Sequence, residues 1–455
     1  MEMESIQPTV ARVPRHQQLR WRVIGQYLPV IAFGLAAFLI IRNLAEGDAP
    51  ASSSASSIDP QHAERLAADI AFFEGRVGET KDNLSYNALT GLYLQRLRET
   101  GDVSDIKRAE LSATRSLELL PNDYGGLLNL AIVRNVQHNF TGAVALAAQA
   151  DGQSPTRPDA KAILGDAELA LGQYDAATTN YRVYLDKAPG SSAFSRQASI
   201  AELNGNVPLA EQFWQAAIDA DRTGSPETSA WARVQLGTLY FNTGQIDKAG
   251  QQFNTAVKVF PGYHAALAGQ GQILAARKDY QGALQKYTEA TSHVPVADYV
   301  AALVDLNNQV GNTSQAKRND GLMALIDQLY QSNGIVAELS VIIYGSDHGA
   351  EPVALLARAR EAYADRPGVQ AADTLAWALY RAGQLDEAAD YSQQALRFNT
   401  QDPLFQFHAG MIANARGDTA AARDHLQRVH DLNPRFSILH AAEAEATLKA
   451  LTGAR

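Results

Sequence analysis

His425 and His430 stand five residues apart, and "GQGQIL" spans residues 269–274; these are the two places where spacing in this 455-residue chain could suggest chemistry. Two imidazoles grip a metal from one helical face at a separation of four. A separation of five sets them on adjoining faces, as a partly solvated polar pair. The glycine run has the outline of a dinucleotide-binding turn, but no strand pattern precedes it. Inside a helical pattern its glycines read as close helix packing. The chain has no Gly-x-Ser-x-Gly elbow, no phosphate loop ending in Gly-Lys-Ser/Thr and no His-Glu-x-x-His pair. Cysteine is absent, which excludes disulfides, thiolate metal sites and a thiol nucleophile. These residues predict no enzyme, no metal and no cofactor, so the function must be carried by surface.

The elements that display that surface follow from composition. At 46% hydrophobic and 19% charged residues the chain is foldable and moderately polar, with Gly and Pro scattered as in a helical protein. Net charge is −10, and since residues 1–50 carry five Arg against four acidic residues, the remainder holds −11. An acidic body lacks the basic face that phosphate contacts need, so nucleic acid is not an expected partner.

Near the N-terminus, "VIGQYLPVIAFGLAAFLII" (residues 23–41) has no charge and would span about 28 Å as a helix. It predicts a single transmembrane anchor; a cleaved signal peptide is the alternative, with Arg42 directly after the run and the nearest small-x-small site only at residues 49–51 standing against it. Arg12, Arg15, Arg20 and Arg22 precede the run and only Arg42 follows closely, which predicts a cytoplasmic N-terminus and an extracytoplasmic body, in the periplasm or at the cell surface. The expected organisation is a basic tail (1–22), the anchor (23–41), a Ser-rich linker (42–60), a helical array (61–436) and a capping helix (437–455).

The array announces itself in "LGTLYFNTGQIDKAGQQFNTAVKVFP", where Gly237, Ala249 and Pro261 are spaced by twelve. The same spacing gives Gly165, Ala177 and Pro189; Gly271, Ala283 and Pro295; and Gly410, Ala422 and Pro434. Pro121, Pro155 and Pro189 step by thirty-four. Small residues on facing helices let two backbones approach closely, aromatics such as Tyr240 and Phe253 fill the space alongside, and Pro261 stops the second helix. About ten units are expected between Leu84 and Phe436, with those near Ser191–Trp214 and Asp298–Gln331 degenerate. The first should be stretched at its turn, and "TGSPE" (Thr223–Glu227) inserted between two units.

This pattern resembles the tetratricopeptide repeat, with Leu236, Gly237, Tyr240, Ala249, Phe253, Ala256 and Pro261 in register. The resemblance implies a right-handed α-solenoid of helix-turn-helix repeats that binds other proteins. "YLQRLRETGD", "DTLAWALYRAGQLDEAA" and "FHAGMIANARGD" are similar to runs in bacterial membrane-tethered tetratricopeptide proteins. In a solenoid the first helix of each pair lines the inner face. The stripe facing inward is expected to carry Asp159, Asp166, Glu202, Trp231, Phe241, Asp298, Asp305, Asp373, Trp377, Tyr380 and Phe407. Acidic groups among aromatics suit a basic or amphipathic protein or peptide, whereas the Lys, Arg and Asn that would clamp an acidic chaperone tail are missing. The expected function is a membrane-anchored, non-catalytic scaffold. The alternatives are a cytoplasm-facing assembly or quality-control factor and a structural subunit of a larger membrane complex.

Overall fold

The computed structural model describes residues 60–221, 226–333, 335 and 338–453. The expected anchor, the linker and most of the "TGSPE" insertion lie outside them. The described residues are helical throughout and contain no strand and no helix long and apolar enough to cross a membrane.

A leading helix, α1 (Pro60–Glu79), covers the first of ten antiparallel hairpins. In chain order these pair α2 (Asn83–Thr100) with α3 (Ser104–Leu119), α4 (Tyr124–Val136) with α5 (Phe140–Gln153), α6 (Asp159–Ala170) with α7 (Tyr174–Lys187), α8 (Ser191–Leu203) with α9 (Val207–Asp219), and α10 (Pro226–Asn242) with α11 (Ile246–Val259). Five more follow: α12 (His264–Ala276) with α13 (Tyr280–His293), α14 (Ala297–Gln309) with α15 (Thr313–Ser332), α16 (Leu339–Asp347) with α17 (Pro352–Asp365), α18 (Val369–Arg381) with α19 (Leu385–Ala395), and α20 (Pro403–Ala415) with α21 (Thr419–Leu432). The closing helix is α22 (Ala441–Thr452). The first hairpin is longer than its neighbours, but its extra length lies in the helices. Its turn, residues 101–103, is as short as the others.

Within a hairpin the small residues act as their spacing implied. A Cβ on Gly237 would stand 2.6 Å from the Phe253 ring, and one on Gly271 2.7 Å from Tyr287. Gly269 abuts the other side of Phe253, at 2.5 Å. Both glycines of "GQGQIL" therefore sit in the middle of α12, each against an aromatic ring of a neighbouring helix. Ala249, Ala256, Ala283 and Ala290 are wholly buried on the opposing helices.

The hairpins also meet across long distances in sequence. The turn at Gly101 packs on Val294, that at Gly172 on the Pro367 carbonyl, that at Gly205 on the Asn399 carbonyl and that at Gly244 on the Leu432 carbonyl. Each separation is close to 190 residues, between five and six hairpins. The array thus winds into a superhelix whose second turn rests directly on its first: the turns inside early hairpins dock on the linkers between late ones. Hydrogen bonds join this seam. The Val369 amide donates to the Tyr174 hydroxyl at 2.8 Å, and the Asn433 amide nitrogen donates to the Phe241 carbonyl at 2.8 Å. An apolar cluster of Tyr174, Val369, Ala372, Ala395 and Phe405 fills the interval.

The seam separates two kinds of glycine. Gly205 and Gly383 both end a first helix with positive φ, +67° and +76°. A Cβ on Gly205 would come 2.2 Å from the Asn399 carbonyl oxygen, whereas one on Gly383 meets nothing within 4 Å. Gly383→Ala should therefore cost about 1–2 kcal/mol, the strain of a left-handed L-residue. Gly205→Ala should cost about 2–4 kcal/mol, because the backbone opposite must also move. Urea unfolding of the two variants checks this, and equal losses would mean that the turns do not touch.

Candidate functional site

Where the superhelix closes, the seam leaves a pocket of about 410 Å³. The first hairpin supplies its floor. The turn after α2 brings Val103 and Ile106 into one apolar cluster with Val300, Met323 and Ile326 of the seventh hairpin. That turn is braced from behind by Asp105, which is wholly buried and accepts two hydrogen bonds from Arg96, at 2.7 and 2.6 Å, and one from Arg108 at 2.6 Å. Ile326, Leu329 and Tyr330 from the long α15 form the opposite wall, and Val294–Val296 line the side between them. Trp231, at the start of α10, stands in the wall with 38% of its surface exposed and its ring edge against Trp214.

Charge is confined to the pocket's rim. Arg98 is bound by Glu227 through two hydrogen bonds of 2.8 and 3.2 Å, joining residues 129 positions apart. His264 is held neutral: burial pushes its pKa down to about 4. Its Nε2 lies 3.4 Å from the Arg98 carbonyl, which can only accept, so Nε2 carries the proton. The other nitrogen then accepts from the Tyr299 hydroxyl at 2.9 Å.

Asp298 opens α14 beside this rim. Its side chain is exposed to water yet ringed by protein, with Tyr287, Tyr299 and Tyr330 all close enough to feel its charge. Poor solvation, with the Glu338 carboxylate in addition, pushes its pKa up to about 6. Among the described residues it has neither a cation nor a hydrogen-bond donor as partner. A perturbed carboxylate beside an apolar pocket is the arrangement that marks a binding site.

The expected inner stripe divides in three. Trp231 lines the pocket, and Asp298, an exposed residue, lies two positions beyond the lining residue Val296. Asp159, Asp166, Glu202, Asp305 and Tyr380 keep some contact with solvent, but most are already engaged. Asp166 accepts from Arg196 at 2.8 and 2.6 Å and from the Tyr181 hydroxyl at 2.9 Å. Asp305 faces His348 Nε2 at 2.9 Å, and Asp159 lies 3.3 Å from the Tyr124 hydroxyl. Glu202 accepts the indole N–H of Trp214.

Phe241, Asp373, Trp377 and Phe407 are a correction: each is 2% exposed or less and meets no partner from outside. Two features put them inside. First helices pack on the first helix of the next hairpin as well as on their own partner, so part of the inward stripe is core. At the C-terminus the last inner face is covered again, where His440, just before α22, stacks on Phe407 at 4.6 Å and meets the Trp377 ring edge-on. Trp377 itself lies against His408 at 4.2 Å and donates to Asp347 at 2.8 Å. His408 faces Asp373 at 2.8 Å; burial opposes its charge, but Asp373, Asp347 and Asp402 together raise its pKa. This is a buried pairing that fixes helices, not an open site.

Sequence reasoning missed Arg98, Glu227, Tyr263, His264, Tyr330 and Glu338. They converge only because the superhelix closes, and no local spacing encodes a contact across more than a hundred residues. Among the described residues no three His, Asp or Glu side chains are grouped to hold a metal ion, and His425 instead meets Gln406 at 2.8 Å.

Three segments of the chain, residues 163–225, 234–295 and 374–435, match the family model of the tetratricopeptide repeat. A stretch of 108 residues is 30% identical to the protein CTR9 homolog of Arabidopsis thaliana, covering 24% of this chain and 10% of that protein, so the chain spans about a tenth of the length of the curated relative it matches. Among solved structures, pilF of Pseudomonas aeruginosa is 16% identical with a TM-score of 0.37, over 49% of this chain and 96% of its own. Yeast Tom70 is 12% identical with a TM-score of 0.37, over 91% of this chain and 96% of its own.

The solvation of this interior has a measurable consequence at Glu202. Burial, with Asp402 nearby, pushes its pKa up to about 7, although the Trp214 N–H opposes the shift. A carboxylate raised in this way stabilises the fold while protonated, and that contribution is lost as pH rises from its ordinary value through about 7. Glu202→Gln keeps an acceptor for Trp214 without the charge. Relative to the parent protein it should gain about 1–3 kcal/mol on going from about pH 4 to about pH 8. Urea titrations at the two pH values decide; a gain independent of pH would contradict the assignment.

Proposed function

Because the chain is built of tetratricopeptide repeats, we propose that it is a membrane-anchored scaffold that binds proteins or peptides on the extracytoplasmic side, without catalysis of its own. The observation that carries this reading is the seam pocket, which presents an exposed Trp231 among apolar walls in a body of net charge −10. A tryptophan in an apolar recess rimmed by polar groups has the character of an interface anchor. The superhelix holds that recess ready before binding, so a partner bears little ordering cost on the scaffold's side. The apolar, charge-free run at residues 23–41 supports the anchor, and the excess of arginine before it supports the orientation. Tethering would concentrate partners at the bilayer.

Two experiments test the reading. The natural lack of cysteine makes single-thiol labelling clean, so Ser54→Cys and Ser5→Cys variants can be treated in intact cells with a membrane-impermeant reagent. Labelling at residue 54 alone, with the protein in the membrane fraction, is expected; labelling at residue 5 alone would reverse the orientation. Separately, a photo-crosslinking amino acid at Trp231 should trap a protein that the same group at Arg182, on the outer helix α7, does not trap. Equal trapping at both positions would remove the pocket from the binding face.

A further inference from the structure

We infer that His138 is a pH-sensitive latch on the seam: neutral, it ties the turn of the second hairpin to the linker after α17, and protonated it drives the two apart. The latch stands beside the seam pocket, which takes Val136 from the end of α4 and Glu338 from the start of α16. Acid would therefore loosen the pocket wall and release a partner; that consequence alone rests on the partner-binding reading above.

The other turns that dock on the seam carry glycine, at Gly101, Gly172, Gly205 and Gly244. The turn between α4 and α5 has the same left-handed conformation, φ +60°, but holds a histidine. Its imidazole, stacked on Phe140 at 5.7 Å, reaches across the seam. Nδ1 lies 3.0 Å from a guanidinium nitrogen of Arg366, 228 residues away, and 3.8 Å from a carboxylate oxygen of Glu338. A guanidinium can only donate, so Nδ1 accepts, and the neutral ring carries its proton on Nε2. A second proton, on Nδ1, turns that acceptor into a donor and sets two cations against each other.

The charges around the ring do not absorb this change. Across the seam stand Arg366, which repels a charged imidazole, and Glu338, which attracts it. Asp365, next to Arg366, is exposed, and water screens it. On the His138 side, Arg134 is paired with Glu110 at 2.7 Å. Charging the ring adds a cation to the contact without adding a carboxylate. Burial and Arg366 accordingly hold the His138 pKa below its ordinary value of 6.5, with Glu338 opposing them. A histidine lowered on closure stabilises the closed seam above the ordinary value, and that contribution is lost as pH falls below about 6.5. Protons have a route to the ring, because a cavity of about 240 Å³ lies at this contact, lined by His138, Phe140, Thr141, Ala362 and Arg366 among others.

Hydrogen exchange of single amides in the full chain, without a partner, tests the latch. The Val369 amide donates across the seam just beyond Arg366 and reports its opening. The Ala388 amide bonds to Gln384 within its own hairpin and reports wider unfolding. After correction for the intrinsic rate, Val369 protection is expected to fall by up to about tenfold per pH unit below about 6.5, the limit for one proton, with Ala388 unchanged. In His138→Asn, which keeps an acceptor for Arg366 and tolerates positive φ, Val369 protection should no longer follow pH. In Arg366→Gln the protonated ring no longer faces a guanidinium, and the fall should also disappear. Val369 protection independent of pH in the parent protein, a fall retained in either variant, or an equal fall at Ala388 would each overturn the latch. None of these outcomes bears on the pocket as the partner's anchor, which the Trp231 crosslink decides.

Discussion

Everything distinctive about this molecule depends on the backbone of one superhelical turn touching the backbone of the next. At Gly172, Gly205 and Gly244 the atom opposite the missing side chain is a carbonyl oxygen, belonging to Pro367, Asn399 and Leu432. Helical repeats ordinarily bury their faces only against neighbours in sequence. Here they also bury their turns against linkers five to six hairpins away, so the array has tertiary contacts that a linear stack lacks. Local stability should therefore be shared between the two turns, with the early hairpins held by the late ones.

Closure also sets the electrostatics. A side chain facing the interior remains in reach of water but is surrounded by protein, and carboxylates there are less well solvated than at a convex surface. Asp298 and Glu202 both show it, with pKa values pushed up to about 6 and about 7. Other interior charges are matched: Asp166 by Arg196, Glu227 by Arg98, Asp373 by His408. The pocket where Trp231 is exposed is a break in the seam's packing. Site and scaffold are the same feature viewed at two scales, because the pocket is the place where turn-on-turn packing is incomplete.

Much of the hairpin was legible in the sequence. The spacing of Gly237, Ala249 and Phe253 states which residues are small and which are large at a helix-helix contact, and the structure fills those positions accordingly. The glycines of "GQGQIL" serve helix packing, as their place inside a helical pattern implies, since each faces a ring. The failures share one cause. Trp377, Phe407, Phe241 and Asp373 have the inward period expected of a binding stripe, but the adjoining first helices, and at the end the segment leading into α22, cover them. Period alone does not distinguish a face that meets solvent from one that meets the next element. The seam was beyond reach for a related reason: superhelical pitch is the sum of many small rotations between hairpins, and no single residue pair records it. The stretched first unit shows the same limit in miniature, its extra residues lengthening α2 and α3 where a longer turn was expected.

The most direct test of the closed superhelix is a proximity measurement across the seam. Asn204 and Gln401 lie on opposite sides of it, with the Gln401 side chain 3.2 Å from the space a Gly205 Cβ would occupy. Asn204→Cys with Gln401→Cys in the otherwise cysteine-free chain should join rapidly within one molecule under a short bifunctional thiol reagent, giving a compact species on a denaturing gel. Asn204→Cys with Val353→Cys, at the exposed start of α17, should not. Failure of the first pair to join, at concentrations where both thiols react singly, would show an open array and contradict the account.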